Sequence, residues 1–353
     1  MENIMNLSII MPVYNGEKYL SESVGAILNN SDDSFELIIV NDGSIDSSKQ
    51  ICLNYALHDK RVDLINQENK GICSARNAGI GKARGRFILF VDQDDSIVPG
   101  AIDRLCRYLA TNDSDMIIGG KTIQCFDVKG RLVNQRCIRY RDGIITKDNI
   151  YRKIFDLDCD LCLAHIWNCV YKTELIKRYK IMFSPELKMG HEDTLFNLLY
   201  ANKCNMISLV SDHLYIYRRR DGQSVSMKKN MNYISDLDFF MSTMYESLSK
   251  CSMERYAYLY GLRIGYSWFF ESMSDKTWDV QLREIKAIKE ICDKYKSQYT
   301  QYKEINSKKR IYIQIIHRLT ERRMYVFLLG ILYIKKWIVK YGKHSINKKE
   351  FCI

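Results

Sequence analysis

Short apolar runs alternate with amphipathic stretches through roughly the first ninety residues of the chain. The runs lack helical spacing, which is typical of strands buried on both faces, and the stretches between them have the pattern of helices. This alternation predicts an α/β fold, a mostly parallel sheet with flanking helices. The predicted strands are Leu7–Tyr14, Phe35–Val40, Val62–Gln67 and Arg86–Val91, and the predicted helices are Glu17–Asn30, Asp46–Leu57 and one that ends near Ala83.

Polar residues that could bind a ligand or take part in catalysis lie where the predicted strands end. They are Tyr14, Asn15, Asp42, Lys70, Asp92 and Asp94. Parallel strands share one carboxyl edge, which is where open α/β sheets bind ligands. The sequence therefore predicts a single pocket that collects these side chains.

The segment Asp92-Gln93-Asp94-Asp95 is a candidate metal site. Asp92 and Asp94 are two residues apart at a strand end, so both carboxylates can point the same way and bind a hard divalent cation on a substrate phosphate. The alternative is a solvated turn with a helix N-cap before the helical stretch AIDRLCRYLA. That alternative explains Asp95 or Ser96 but leaves Asp92 and Asp94 without a role, so the metal site is favoured.

Length, composition and the N-terminal segment indicate the class of protein and its cellular compartment. The chain has 353 residues, of which 46% are hydrophobic, enough for one large core or two modest ones. The polar start MENIMN does not resemble a signal peptide, so we expect a cytoplasmic protein with its twelve cysteines reduced. Cys159, Cys162 and Cys169, with His165 among them, loosely resemble a zinc site, but the second ligand pair of a structural zinc motif is missing.

The positive charge is concentrated at one end of the chain. The net charge is +11, and residues 303–349 contain 13 Lys or Arg and 2 acids, which leaves the remainder neutral. A basic tail on a neutral body argues against a nucleic-acid groove and favours contact with an anionic surface.

Common nucleotide-binding signatures are missing from the sequence. The glycines at 79, 81 and 85 have the wrong spacing for a dinucleotide fingerprint, and no GxxxxGK[ST] motif occurs. Dehydrogenases and P-loop enzymes are therefore disfavoured. The phosphates of a bound nucleotide would need a metal ion and basic side chains such as Lys70 and Arg76.

Four segments, MPVYNGEKYLSES, LIIVNDGSIDSS, NQENKGICSARNAGIGKARG and FILFVDQDD, strongly resemble family 2 glycosyltransferases of the GT-A fold in order and spacing. The resemblance is tight over about residues 6–110. Through WNCVYK, GHEDTLFN and YIYRRRDGQS it extends to about residue 226. It implies a GT-A catalytic domain in residues 1–226. The resemblance ends before residues 227–353, which we predict to be a helical, basic C-terminal region.

The resemblance also implies a donor site. Pro12, Val13 and Tyr14 match the segment that lines the nucleoside pocket, Asp42 matches the acid that hydrogen-bonds uracil, and Arg76 matches a basic residue near the base and diphosphate. Taken singly, Tyr14 could be a core residue, Asp42 part of an ordinary turn and Arg76 a solvated helix residue. Their joint order favours a site.

The DxD pair and two later blocks complete the implied machinery. Asp94 is expected to hold Mn²⁺ or Mg²⁺ on the diphosphate of a UDP-sugar, and Asp92 to lie near the ribose and the metal. Asp193 matches the general base, with His191 as its competitor and a simple N-cap as the plain alternative. The arginines of YIYRRRDGQS, of which we choose Arg218 and Arg220, would meet the leaving diphosphate or form a solvated charge run.

The middle of the chain contributes acceptor-side features. Residues 116–120 are predicted to form a strand, with a hairpin around Asp127 to Gly130. Trp167 is expected either to stack on a sugar ring or to be core. Cys169 stands where the resembling bacterial surface-polysaccharide members have Lys, which puts a cationic role at that position in doubt.

The C-terminal region is predicted to be helical from about Asn230. Its apolar run Met324–Ile334 is flanked by Lys and Arg and is too short to span a bilayer, which takes about 20 residues. It suits an interfacial segment on an anionic leaflet, or a buried helix of a C-terminal bundle. The first alternative fits a protein peripheral to the inner face of the cell membrane.

The resemblance thus implies an inverting, metal-dependent transfer of a hexose or N-acetylhexosamine from a UDP-sugar to a saccharide. The acceptor would be free or linked to polyprenyl diphosphate in the biosynthesis of a surface polysaccharide, capsule or O-antigen. A processive synthase is disfavoured because the chain has no transmembrane bundle and no QxxRW motif. A nucleotidyltransferase of related fold and a catalytically silent membrane scaffold remain as alternatives, although MPVYNGEKY does not resemble a triphosphate loop.

Overall fold

Strand β1 (Leu7–Val13) is central to the parallel part of the sheet in the computed structural model. It pairs in parallel with β2 (Phe35–Asp42) on one side and β4 (Phe87–Phe90) on the other, and β3 (Val62–Gln67) lies outside β2. All four predicted strands are present. The structure describes residues 5–154, 164–187, 191–220, 233–250, 253–273, 276–296, 315, 318–319 and 322–341.

The crossover helices between these strands also follow the prediction. They are α1 (Glu17–Leu28), α2 (Ser48–His58) and α3 (Ile72–Lys82). Helix α3 packs closely on the sheet at Gly79, where a Cβ atom would overlap the side chain of Ile10. Every residue of β1 and β2 is buried, as expected for strands covered on both faces.

The segment after the DxD pair is not the helix cap that served as the alternative to a metal site. Ser96–Ile97 forms a two-residue strand, β5, and helix α4 (Ala101–Thr111) begins only after Gly100, which has φ +68°. The reason is a tertiary contact, because β5 pairs antiparallel with a strand far along the chain. The N-cap interpretation of Asp95 and Ser96 is therefore wrong.

The second half of the sheet is mixed. Strand β6 (Met116–Phe126) forms the predicted hairpin with β7 (Leu132–Ile138) through a turn in which Gly130 N–H donates to Asp127 O. The remaining elements of this unit are β8 (Gly143–Thr146), α5 (Lys147–Ile154), β9 (Cys169–Lys172), α6 (Thr173–Tyr179), α7 (Glu192–Ala201) and β10 (Met206–Arg220). The main path through the sheet is β3-β2-β1-β4-β9-β6-β10-β5, with β8 paired to β10.

Strand β9 joins the two halves of the sheet. It runs antiparallel to both β4 and β6, between them. Aromatic side chains cluster beneath this junction, where Phe90, Tyr171 and Phe196 meet edge to face with ring centroids 5.4–5.8 Å apart. The junction fixes the carboxyl end of β4, on which the DxD pair stands. The mixed α/β architecture with flanking helices confirms the predicted fold class.

The described residues form two compact units, the first up to residue 220 and the second from residue 233 onward. The second unit is helical, as predicted. The predicted boundary between residues 226 and 227 lies outside the described residues, as does most of the basic tail. Its elements are α8 (Tyr233–Ser249), a 3₁₀ turn (Glu254–Tyr256), α9 (Ala257–Ser272), α10 (Trp278–Asp293) and α11 (Tyr325–Tyr341).

The predicted apolar run near the C-terminus lies on α11. Leu328, Leu329 and Leu332 are buried, whereas Val326 and Phe327 are exposed. The helix therefore packs through one face and presents apolar side chains on another. Throughout the described ranges, no helix combines the length and the apolar character needed to cross a membrane.

Candidate functional site

Hydrogen bonds join the loops that follow β1, β2 and β4. The side chain of Gln93 accepts from Tyr14 N–H and donates to Tyr14 O, each at 2.9 Å. The amide of Asn15 donates to Ser44 Oγ at 3.1 Å, and Asn15 Oδ1 accepts from Ile45 N–H at 2.9 Å. The structure thus brings together three of the strand ends that the sequence assigned to one pocket.

Asp42, at the end of β2, fixes the loop that follows β3. Its Oδ1 accepts from Lys70 N–H at 2.9 Å and from Gln67 Nε2 at 2.7 Å, while its Oδ2 accepts from Gly71 N–H at 2.9 Å. The carboxylate is buried and holds the loop that begins α3, whereas the Lys70 side chain is exposed. Asp42 is therefore more than an ordinary turn residue, because both of its oxygens fix a loop after another strand.

Arg76 lies at the centre of an acidic cluster. Its Nη1 is 2.7 Å from Asp193 Oδ1 and 3.2 Å from Glu192 Oε1, and its Nη2 is 3.3 Å from Asp92 Oδ1. Only 2% of Arg76 is exposed, so the interpretation as a solvated helix residue is wrong. The guanidinium also lies over the ring of Phe183, 5.1 Å from its centroid. Arg76 thus links the DxD segment to the first turn of α7.

The environment of α7 favours Asp193 over His191 as a proton acceptor. Burial raises the pKa of the Asp193 carboxyl to about 8, although the neighbouring Arg76 guanidinium opposes this shift. Burial lowers the pKa of His191 to about 3, so its imidazole is a weak base. Helix α7 begins at Glu192 with no side-chain cap hydrogen bond. The N-cap alternative for Asp193 therefore fails.

The three acids that follow β4 have different surroundings. Asp92 and Asp94 are half-buried. Asp95 is buried, and its carboxylate accepts from Tyr215 O–H at 2.8 Å and from Arg218 N–H at 2.8 Å. Burial, and after it the charge of Asp92, raises the pKa of Asp94. Asp95 therefore has a structural role, and Asp92 and Asp94 remain accessible.

The donor set fits a hard divalent cation shared with a substrate. Asp92 and Asp94 offer carboxylate oxygens, and a cation there would offset the unfavourable ionisation of Asp94. Within the ranges that the structure covers, no group of three or more His, Cys, Asp or Glu side chains is placed to hold a metal. A cation bound by the DxD pair would thus complete its coordination with phosphate oxygens and water, as Mg²⁺ commonly does.

The two chosen arginines of β10 have different partners. Arg220 Nη1 donates to Asp94 O at 2.9 Å, and its guanidinium lies 3.8 Å from the ring centroid of Tyr19. Arg218 instead pairs through Nη2 with Glu22 Oε1 on α1, at 2.5 Å. The structure therefore brings Arg220 to the DxD pair and directs the Arg218 side chain toward α1.

Trp167 belongs to a buried stack. Its ring centroid lies 4.5 Å from that of Tyr215 and 4.7 Å from that of His165, and the Nζ of the buried Lys121 lies 5.0 Å from it. The core alternative therefore describes Trp167. Of the loosely zinc-like group, Cys159 and Cys162 lie outside the described residues. Cys169 is buried, and its Sγ donates to His165 O at 3.6 Å.

Sequence reasoning missed two residues that hold the site together. Gln93, the middle residue of the DxD motif, is not among the predicted site residues, although it pairs with the backbone of Tyr14. Tyr215 accepts from Asp92 N–H at 3.1 Å and donates to Asp95. The position of Gln93 between two acids at a strand end was an available signal, whereas Tyr215 resembles any aromatic residue of a strand.

A separate cavity of about 160 Å³ lies between α4 and strands β6 and β10. Leu105, Tyr108, Ile117 and Leu214 contribute to its mainly apolar lining, and Arg104 and Asp212 also border it. It contains none of the predicted site residues. Its position under α4 makes it a packing feature of the first unit.

Part of the chain is similar to a known family of proteins. Residues 8–179 match the family model of glycosyl transferase family 2. The chain is 32% identical over 212 residues to the uncharacterized glycosyltransferase EpsJ of Bacillus subtilis. The aligned region is 60% of this chain and 60% of EpsJ. It is 30% identical over 241 residues to TarS of Staphylococcus aureus, a poly(ribitol-phosphate) β-N-acetylglucosaminyltransferase, covering 67% of this chain and 39% of TarS. The chain thus spans about 60% of the length of EpsJ and less of TarS.

A solved structure of S. aureus TarS shares the fold. The crystal structure of TarS residues 1–349 in complex with UDP superposes with a TM-score of 0.61 at 22% identity, covering 89% of this chain and 87% of that one. The match confirms the α/β architecture with its helical C-terminal region. Together with the family model, it confirms the resemblance on which the sequence interpretation was based.

Proposed function

We propose that this chain, which carries a family 2 glycosyltransferase domain, transfers a hexose or N-acetylhexosamine from a UDP-sugar to a saccharide hydroxyl with inversion at the anomeric carbon. The observation that supports this most directly is the cluster around Arg76. One buried guanidinium contacts Asp193 at 2.7 Å and Asp92 of the DxD pair at 3.3 Å. A proton acceptor and the donor-binding acids would then face the same reacting centre.

The donor would lie across the carboxyl ends of β1, β2 and β4. Pro12, Val13 and Tyr14 would line the nucleoside pocket, and Asp42 would hydrogen-bond the uracil base. The carboxylate of Asp42 already accepts three hydrogen bonds from the chain. Each carboxylate oxygen has two lone pairs, so Oδ2, which has one protein donor, retains capacity for a base N–H.

The diphosphate would lie near the DxD pair. Asp92 and Asp94 would hold Mn²⁺ or Mg²⁺, which would neutralise charge on the departing UDP when bound. Arg220 is next to Asp94, and Lys70 is exposed on the neighbouring loop, so both can approach phosphate oxygens. Arg218 is a weaker candidate for this role because it is already paired with Glu22.

Asp193 would act as the general base. The acceptor oxygen attacks the anomeric carbon and its proton passes to the Asp193 carboxylate, while the bond from that carbon to the UDP oxygen breaks on the opposite face. A pKa of about 8 makes the carboxylate a far stronger base than an ordinary Asp. The ion pair with Arg76 would fix its orientation during the transfer.

The acceptor would be a growing saccharide of a surface polysaccharide, such as a capsule or O-antigen, carried on polyprenyl diphosphate. Two relatives support a cell-surface polymer as the wider class of acceptor, since TarS is named for transfer to poly(ribitol-phosphate) and GgaB of B. subtilis for minor teichoic acid biosynthesis. Residues 1–226 would form the catalytic domain. Residues 227–353 would attach to the anionic inner face of the cell membrane, and the exposed Val326 and Phe327 on α11 favour such a contact.

A donor panel tests the proposal. Purified full chain is incubated with UDP-glucose, UDP-galactose, UDP-N-acetylglucosamine, UDP-N-acetylgalactosamine and GDP-mannose, each with Mn²⁺ or EDTA. UDP release and thermal shift are then measured. We expect stabilisation and turnover with one or more UDP-sugars, dependent on Mn²⁺, and an inverted anomeric configuration by NMR. Selectivity for GDP-mannose would contradict the role of Asp42. Release of pyrophosphate from UTP and a sugar 1-phosphate, without release of UDP from any UDP-sugar, would indicate a nucleotidyltransferase.

A further inference from the structure

We propose that residues 127–142, which comprise the turn of the β6–β7 hairpin, strand β7 and the four residues after it, dock the protein on an anionic lipid bilayer. This segment is named here the basic hairpin. This inference rests on the proposed function, because it gives that function its membrane contact. The hairpin contains five Lys or Arg and two Asp. It belongs to the first unit, whereas the sequence predicts membrane contact for the C-terminal region.

Apolar side chains are exposed at the tip of the basic hairpin. Val128 is 77% exposed, Leu132 50% and Val133 53%. Lys129 and Arg131, which are also exposed, lie between Val128 and Leu132. Single exposed apolar residues are common on protein surfaces, but three within six residues, interleaved with cations, form an amphipathic tip.

The tip is held in this conformation by its own turn. Asp127 Oδ1 accepts from Lys129 N–H and Arg131 N–H, each at 2.9 Å, and Gly130 adopts φ +75°. Strand β7 is exposed along nearly its whole length and, within the described part of the chain, pairs with β6 alone. The apolar side chains are therefore presented outward by a fixed backbone.

The charges of the basic hairpin select an anionic partner. Of its two acids, Asp127 is occupied by the turn, and Asp142 accepts from Ser211 N–H at 2.6 Å. The cations outnumber these acids and include the exposed Arg136 and Arg141. A hydrophilic polyanion would satisfy the cations but gain nothing from Val128, Leu132 and Val133. An anionic bilayer can bind both kinds of side chain, because the cations contact the headgroup phosphates and the apolar side chains reach the boundary of the acyl region.

The position of the basic hairpin relates it to the site. It begins directly after Phe126, which is paired in register with Arg220 and whose ring centroid lies 5.8 Å from the Arg220 guanidinium. Arg220 in turn donates to Asp94 O. Docking through the basic hairpin would therefore hold the DxD pair near the bilayer surface, where a lipid-linked saccharide carries its own diphosphate.

Vesicle flotation of the full chain tests the inference. Vesicles contain phosphatidylcholine alone or with about 30% phosphatidylglycerol. We expect the wild type to float with anionic vesicles and to stay below neutral ones. Lys129→Glu with Arg136→Glu should lower the partition coefficient about fivefold for each basic residue removed. Val128→Ser with Leu132→Ser should lower it by a similar factor through loss of apolar contact.

Matched controls separate the hairpin from general surface effects. Leu57→Ser replaces an apolar residue that is 78% exposed on α2, and Lys60→Glu reverses a nearby exposed cation. Both should float like the wild type, and all variants should keep the wild-type thermal midpoint. Equal flotation of the hairpin variants and the wild type would assign the contact to another region and overturn the inference. So would binding to soluble polyphosphate without binding to vesicles.

A parallel assay keeps this inference distinct from the proposed function. Hydrolysis of the UDP-sugar in solution needs no membrane, so the hairpin variants should release UDP at the wild-type rate. If no variant, including the wild type, turns over a sugar nucleotide while flotation follows the expected order, the proposed function fails and the docking surface stands. If turnover is normal and flotation does not depend on the hairpin, the docking surface fails alone.

Discussion

Arg76 Nη1 lies 2.7 Å from Asp193 Oδ1, although the two residues are 117 positions apart in the chain. Their contact joins α3, which packs on the parallel sheet, to the first turn of α7. The same guanidinium reaches Asp92 on the far side. A single buried side chain thereby sets the separation between the proposed base and the proposed donor site.

Replacing Arg76 should destabilise the protein strongly. Arg76→Met leaves Glu192, Asp193 and Asp92 without their shared cation, and breaking a buried ion pair in this way costs about 3–5 kcal/mol. Urea denaturation followed by circular dichroism measures the change in the free energy of unfolding. Arg178→Met provides the control, because Arg178 forms an exposed ion pair with Glu174 on α6 and should cost at most about 0.5 kcal/mol. Similar losses in the two variants would argue against a central role for Arg76.

The pH dependence of transfer should report the Asp193 carboxyl. Since its pKa is raised to about 8 in the folded protein, the group is protonated below that pH and accepts a proton only above it. We therefore expect kcat/KM to rise with pH and level off above about 8, far above the range of an ordinary Asp. Rates measured from about pH 6 to about pH 9.5 define this limb.

Asp193→Asn should lower kcat by about 10² to 10⁴-fold and remove the rising limb from the residual activity. Asp113→Asn, which alters an exposed carboxylate paired with Lys172, should leave both the rate and the limb unchanged. Persistence of the limb in Asp193→Asn would transfer the titration to another group, with Glu192 the first to examine.

Metal dependence should be concentrated at Asp94. With Mn²⁺ present, Asp94→Asn should weaken UDP binding at least about tenfold, because one carboxylate of the proposed cation site is lost. Isothermal titration with Mn²⁺ and with EDTA separates the contributions of the ion and the protein. The wild type should lose affinity in EDTA, and the variant should respond little to it. Asp63→Asn, remote on β3, should behave like the wild type, and a variant that kept its full Mn²⁺ response would rule out Asp94 as a ligand.

The Tyr215 hydroxyl should stabilise the DxD segment through its hydrogen bonds to Asp92 and Asp95. Tyr215→Phe removes the hydroxyl that donates to Asp95 and accepts from Asp92 N–H, which should cost about 1–3 kcal/mol of unfolding free energy. Burial raises the pKa of Asp95 well above its ordinary value, so the carboxyl depends on such donors when ionised. Tyr55→Phe, which removes a more exposed hydroxyl bonded to Ser21 O, should cost less. An equal effect of both changes on the midpoint of urea denaturation would contradict this role.

The elements that the sequence predicted well are those with a strong local pattern. The apolar runs around Ile9 and Ile38 are buried on both faces, so each strand could be recognised without its partners. Strands β5 and β9 are too short to have a period, and their residues join the sheet only through partners far along the chain. Tertiary pairing decides such elements.

The site residues also fall into two groups, those recognisable from the local sequence and those that depend on tertiary contacts. Asp92 and Asp94 follow a recognisable strand and stand out as acids at a sheet edge. The burial of Arg76 could not be anticipated, because α3 has no clear amphipathic pattern and the acids that surround Arg76 come from α7 and from the segment after β4. The pairing of Arg218 with Glu22 rather than with the DxD pair likewise depends on the packing of β10 against α1.

Strand β10 determines where the chain can be cut for expression. It pairs with β5, β6 and β8, and it supplies both donors to the Asp95 carboxylate. The segment that matches the family model ends at residue 179, before this strand and before Asp193. A truncated protein ending there would expose the edges of its β partners to self-association and leave Asp95 buried without a donor. A soluble, functional fragment should therefore extend at least through Arg220.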